Sequence, residues 1–194
     1  MRGRLFRVGI IGGIGSGKSA VTSFLRALGA NVLVADELNA ELLTNPDYIA
    51  ELRTIFPQVV CGNAVDKGML ASIIFNDELS RQKLMALSHP RILAIMNERA
   101  KSGLYFFEIP LFNETDIKFD RLWYIYAEKK RRIARVTERS GMSRESAERI
   151  IASQGEINET ADNLTIIDNN EGLSRLKIRV EELYCALFAE LQRR

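Results

Sequence analysis

The chain has 194 residues, 46% of them hydrophobic and 27% charged, with a formal net charge of +2. That length suits one domain with a full core and a small insertion, and is too short for two ordinary independent domains. The near-balanced charge gives no bulk electrostatic case for a nucleic acid or an anionic membrane as partner, and two distant cysteines, Cys61 and Cys185, with a single histidine support neither a disulfide framework nor a zinc site. The charged opening MRGRLFR leads into a glycine-filled stretch closed by Lys18, a poor signal peptide, and no apolar run of roughly 18 residues follows. A cytoplasmic protein is the expectation.

Leu5 to Ile11 reads as a strand buried on both faces of a parallel sheet. It runs into Gly12, Gly13, Ile14, Gly15, Ser16, Gly17, Lys18 and Ser19, the spacing G-x-x-x-x-G-K-[ST] of a phosphate-binding loop, with Ala20 continuing into a helix. Four glycines let successive N–H groups turn inward as an anion nest, and the helix adds its positive end. Lys18 supplies a point charge for the β- and γ-phosphates of ATP, and the Ser19 hydroxyl suits Mg²⁺. The alternative is a mobile glycine turn, which would need neither the lysine nor the hydroxyl.

Val21, Phe24, Leu25 and Leu28 stripe the helix, and Ala30 to Ala35 forms a second strand ending at Asp36. A right-handed parallel βαβ unit places Asp36 beside the phosphate loop. There it is either a base for an attacking hydroxyl or the N-cap of the next helix.

From Glu37 to about Ser102 the pattern is helical with no convincing strand, a helical insertion. Asn45-Pro46-Asp47 starts one helix, Met69 to Phe75 forms another, and a longer one from Asp77 to Arg99 is interrupted at His89-Pro90. His89 reads as a helix-junction residue or a ligand contact. Leu104 to Ile109 and Leu122 to Ala127 are further strands, and Glu108 near the end of the first is either a Mg²⁺ or water holder or a hydrogen-bonded loop carboxylate. Glu128 to Arg139 is a basic helix on which Arg135 and Arg139 share a face. Lys129, Lys130 and Arg131 read as a solvated face, whereas Arg139, beside a flap capped at Ser143, can reach a transferring phosphoryl group. Leu164 to Ile167 is a last strand, and Leu173 to Leu187 stripes a closing helix. The fold class is α/β with three layers.

In order along the chain stand GGIGSGKS from Gly12, Asp36, Ile74-Phe75, His89-Pro90, Pro110-Leu111 with Glu114, Arg135 and Arg139, Gln154, Ala161-Asp162 and IDNN from Ile167. This set resembles the dephospho-coenzyme A kinase family over nearly the whole chain. The resemblance implies a P-loop kinase core over residues 1–35 and 103–194, a lid at about 139–154, and a helical CoA-binding insertion over 36–102. It implies Mg²⁺-dependent transfer from ATP to the 3′-hydroxyl of dephospho-CoA, with Asp36 as base, Lys18 and Arg139 on the phosphates, and Arg135 and Asn169 on the ATP side. His89, Pro110, Leu111 and Glu114 fall to the acceptor. Val34, Ala40 and Ala20 depart from the family's usual aspartate, basic residue and threonine. Another small acceptor such as a nucleoside monophosphate, or a nucleotide-binding module without transfer, are the alternatives. The expected assembly is a monomer or small homo-oligomer, with neither nucleic acid nor membrane as partner.

Overall fold

The computed structural model describes residues 4–109, 117–154 and 162–193. The chain divides into two compact units, one of residues 1–33 with 101–194, the other of residues 34–100.

The first unit is built on strands β1 (Leu5–Ile11), β2 (Asn31–Val34), β5 (Gly103–Glu108), β6 (Arg121–Tyr126) and β7 (Leu164–Asp168), in the order β2-β5-β1-β6-β7. β1 lies parallel to both β5 and β6, and β6 lies parallel to β7. The near-continuous apolar runs of β1 and β5 are what a strand covered on both faces requires. This order corrects the expected neighbour relation of the first two strands. β5 stands between β2 and β1, because GLYFFE can bury both of its faces while four-residue β2, exposed at Asn31, suits an edge.

Helices α1 (Lys18–Ala27) and α8 (Leu173–Gln192) pack together on one face of the sheet. Val21, Leu25, Leu176 and Val180 meet Val8, Ile10, Phe106 and Trp123 there, all nearly or fully buried. Phe106 sits 5.1 Å from the Trp123 ring and 6.0 Å from that of Tyr184. Helices α6 (Lys129–Ser140) and α7 (Arg144–Ser153) form a hairpin around Ile133, Val136, Ala147 and Ile151. Gly141, at φ 65°, ends α6, and the Ser143 hydroxyl caps α7 by accepting from the Ser146 N–H.

The second unit holds α2 (Ala35–Leu42), α3 (Pro46–Ile55), α4 (Lys67–Asn76) and α5 (Glu78–Arg99) around Leu38, Tyr48, Leu52, Leu70 and Met96. Side chains of Asn45, Asp66 and Asp77 cap the last three. Arg99 pairs with Glu41 and Arg91 with Glu51, each at 2.5 Å, tying α5 to α2 and α3. The hydrogen bond from Arg99 holds the Glu41 carboxyl below its usual value.

Two expectations fail in this unit. A short antiparallel hairpin, β3 (Val60–Cys61) with β4 (Ala64–Val65), turns at Gly62 where no strand was expected. Two residues per strand are too few for an alternation to register. The long helix also passes through Pro90 without a break. Proline removes the donor that would serve the Ala86 carbonyl, one bond in a 22-residue helix, while in the same turn Arg91 Nη1 donates to the Leu87 carbonyl at 2.8 Å.

Phe106→Ala is expected to cost roughly 3–5 kcal/mol of stability, the range for a buried aromatic truncated in a packed core. Trp123, the chain's single tryptophan, reports directly on this contact, so denaturant unfolding followed by its fluorescence checks the value.

Candidate active site

β1 ends at Ile11 and α1 begins at Lys18, leaving Gly12 to Gly17 as the loop between the sheet and a helix N-terminus. When a loop turns its N–H groups inward, its carbonyls point outward and need donors of their own. Lys18 Nζ donates to the Gly12 and Gly13 carbonyls at 2.7 and 3.4 Å, and the Ser16 N–H donates to Gly13 at 3.1 Å. The Ile14 carbonyl takes Arg132 Nε at 2.9 Å. Arg135 Nη1 lies 3.3 Å from both the Gly15 and Ser16 carbonyls, and Asn169 Nδ2 donates to Ser16 at 2.7 Å. Arg135 Nη2 then donates to the Asn169 carbonyl at 2.8 Å, closing the set.

These donors leave no space for a side chain at Gly13 or Gly17. A Cβ on Gly13 would collide with the Arg132 guanidinium and the Gln154 amide. Gly17, the N-cap of α1 at φ 110°, holds a backbone conformation that L side chains rarely adopt, and a Cβ there would meet Asn169 Nδ2.

Arg132, Arg135 and Arg139 follow one another on α6 at i, i+3 and i+7, one face of the helix. Burial draws the Arg132 guanidinium below its ordinary value, against a smaller opposing effect of Tyr124. Burial does the same to Arg135, with Arg131 adding to it. Both guanidinium groups keep their charge, because arginine is effectively always protonated in proteins. The first two thus set two positive charges behind the phosphate loop. Arg139 lies exposed in the last turn of α6 and is not among the donors to the loop.

Sequence reasoning placed Arg135 and Asn169 on the ATP side, and the fold brings both to the loop. It missed Arg132, read past within the run KKRR. The signal was available in the helical spacing, which puts Arg132 three residues before Arg135 and seven before Arg139, on their face.

Asp36 is exposed in the first turn of α2, in the second unit. It is not the N-cap, a position Val34 occupies, so the capping alternative is set aside. As a carboxylate in a first turn it lies where the helix dipole favours negative charge. His89 is in the middle of α5 of the same unit. Pro110, Leu111 and Glu114 lie outside the described residues.

No cluster of three metal-binding side chains occurs among the described residues. A Mg²⁺ carried by nucleotide phosphates does not require one, because it keeps several waters and takes one or two protein oxygens. Ser19, exposed in the first turn of α1, and Glu108, 7% exposed at the end of the strand beside β1, are oxygen donors of the right kind. Among the described residues no helix is long and apolar enough to cross a membrane.

The sequence matches the family model of CoaE, dephospho-CoA kinase, over residues 6–175. A dephospho-CoA kinase of Geobacter sulfurreducens is 32% identical over 193 residues, covering 93% of this chain and 98% of the relative. One from Thermus thermophilus is 37% identical over 143 residues, 71% of this chain and 70% of the relative. The crystal structure of TT1252 from Thermus thermophilus superposes with a TM-score of 0.77 at 32% identity, covering 97% of this chain and 99% of that one. A Sinorhizobium meliloti gluconokinase, at TM-score 0.51 and 12% identity, covers 95% of this chain and 97% of its own and shares the fold alone. With the family model spanning residues 6–175 and the Geobacter sulfurreducens relative matching 93% of the chain at 32% identity, the chain belongs to the dephospho-CoA kinase family.

Proposed function

We propose that this chain transfers the γ-phosphoryl group of ATP to the 3′-hydroxyl of dephospho-CoA, in the cytoplasm, as the step that completes coenzyme A. The observation that carries the reading is the Gly12–Gly17 loop with its outward carbonyls engaged by Lys18, Arg132, Arg135 and Asn169. That arrangement supports an anion nest built from loop amides other than those of Ile14 and Ser16, which are bonded to Gln154 and Gly13, and surrounds it with cations.

Phosphoryl transfer needs little covalent chemistry from a protein; positioning and charge stabilisation do most of it. Lys18 and the amides of the loop hold the phosphates. Ser19, with Glu108 acting through water, would hold Mg²⁺, which would offset the charge of the phosphates. Asp36 accepts the proton of the attacking hydroxyl, an effect worth about a hundredfold to ten-thousandfold. Arg139 reaches the transferring group, where a guanidinium stabilises the charge on the equatorial oxygens. The helical unit over 34–100 receives the acceptor, with His89 and the segment of Pro110, Leu111 and Glu114 contacting it.

Lys18→Ala is expected to abolish turnover and to weaken ATP binding at least about a hundredfold. Titration of the folded variant with ATP checks this, and retained binding would remove the loop from the site. Asp36→Asn is expected to leave ATP binding within about threefold while cutting turnover at least about a hundredfold. Product formation is measured side by side with dephospho-CoA and with nucleoside monophosphates as acceptors. Phosphorylation of a monophosphate in preference to dephospho-CoA would reassign the acceptor, and ATP binding without product on either would reassign the chain as a binding module.

A further inference from the structure

Gln154 is not used in the transfer described above and Arg132 only as a cation meeting a loop carbonyl, yet both end on one residue of the phosphate loop, Ile14. The Ile14 N–H donates to Gln154 Oε1 at 2.9 Å, and the Ile14 carbonyl accepts from Arg132 Nε at 2.9 Å. Arg132 Nη2 donates to the same Gln154 oxygen at 2.7 Å, so the three groups close a ring. The Ile14 side chain packs against the apolar cluster of Ile133, Val136, Ala147 and Ile151 inside the α6–α7 hairpin. The donor, the acceptor and the side chain of this one loop residue are therefore all held by the hairpin.

We infer that Arg132 and Gln154 are positioning residues that couple the placement of the α6–α7 hairpin to the phosphate-binding shape of the loop. Arg132 is half-buried and has lost much of its hydration, which is the cause of its lowered proton affinity. Moving the hairpin off the loop would strip partners from the guanidinium, the Gln154 amide and both polar groups of Ile14 together. Losses of this kind fall on all members of a network at once. Anything that fixes the loop, a bound triphosphate above all, therefore fixes the hairpin, and by linkage the hairpin in place raises the affinity of the loop. The fork geometry matters: one planar guanidinium meets a carbonyl and an amide oxygen at once, which a flexible ammonium does not reproduce.

This inference rests on the loop being the ATP site, so the unsubstituted chain is titrated first with ATP and Mg²⁺. No binding there would overturn the loop assignment and the coupling with it. Given binding, Arg132→Met, Gln154→Met and the double variant are compared for ATP Kd, KM for ATP, kcat and melting temperature. Each single change is expected to raise the ATP Kd and KM about tenfold, with kcat at saturating ATP within about threefold, as loss of preorganisation predicts. The double variant is expected to match either single one, because removing one member already opens the ring. Independent effects that multiply to about a hundredfold overturn the coupling. So does an unchanged ATP Kd in folded variants, since a packing role alone lowers the melting temperature and leaves affinity as it was. A loss confined to kcat overturns it as well. If Arg132→Met does not melt cooperatively, Arg132→Lys takes its place, with the ATP Kd expected to rise at least about threefold and an unchanged Kd counting against the inference.

Discussion

A phosphate loop has to solve a problem of orientation before it can bind anything. Every peptide unit whose N–H faces an anion turns its carbonyl the other way, and a buried carbonyl without a donor costs on the order of 1–3 kcal/mol. In this chain the carbonyls from Gly12 to Ser16 are met by side chains of α1, α6 and the turn after β7, with Ser16's own amide adding to the Gly13 bond. The rest of the first unit can be understood as the frame that brings those donors to one place. β1 carries the loop, β6 leads into the helix with the arginines, and β7 beside it ends in the turn bearing Asn169.

Using cations for part of this task has an electrostatic return. Lys18, Arg132 and Arg135 answer the carbonyls and at the same time raise the potential inside the loop, where the dipole of α1 already favours negative charge. A neutral amide could satisfy the same carbonyls without that second effect, and Asn169 does so at Ser16. Glycine enters for a reason of space as much as of backbone freedom: at Gly13 the volume of a Cβ is taken by a guanidinium. Loop and arginine helix thus exclude bulk from each other, and neither would keep its shape alone.

Much of this was legible from residues alone. The first strand, the loop and the helix after it announce themselves by glycine spacing and periodicity, and the basic helix by its charge. What stayed hidden depends on neighbours that a periodic pattern cannot name. The place of β5 between β2 and β1 is decided by which strand can bury two faces, a comparison between segments some seventy residues apart. Pro90 predicts a break, and the helix runs through it with Leu87, Ser88, Ile92 and Met96 buried on either side, a packing that a periodic pattern around a proline does not announce. Arg132 was lost in a run of four basic residues, where composition suggests solvent and only the helical angle separates one side chain from the next. The position of Asp36 after a strand leaves a cap open beside a base, yet the helix begins two residues earlier than a cap there needs.

The donors that complete the loop come from far along the chain. Ile14 bonds to Arg132 across 118 positions and to Gln154 across 140, and Ser16 bonds to Asn169 across 153. Contacts of such sequence separation form late in folding, because closing long loops is entropically costly and is rewarded only when the intervening structure is in place. The glycine stretch precedes its outer donors by more than a hundred positions, so it stays without them until the chain as far as Asn169 has been made. The loop's full set of hydrogen-bond donors is then a property of the folded chain and not of the glycine motif alone. The same arithmetic makes the nucleotide a selective stabiliser of the completed fold, since a ligand that binds only the native state shifts the folding equilibrium toward it.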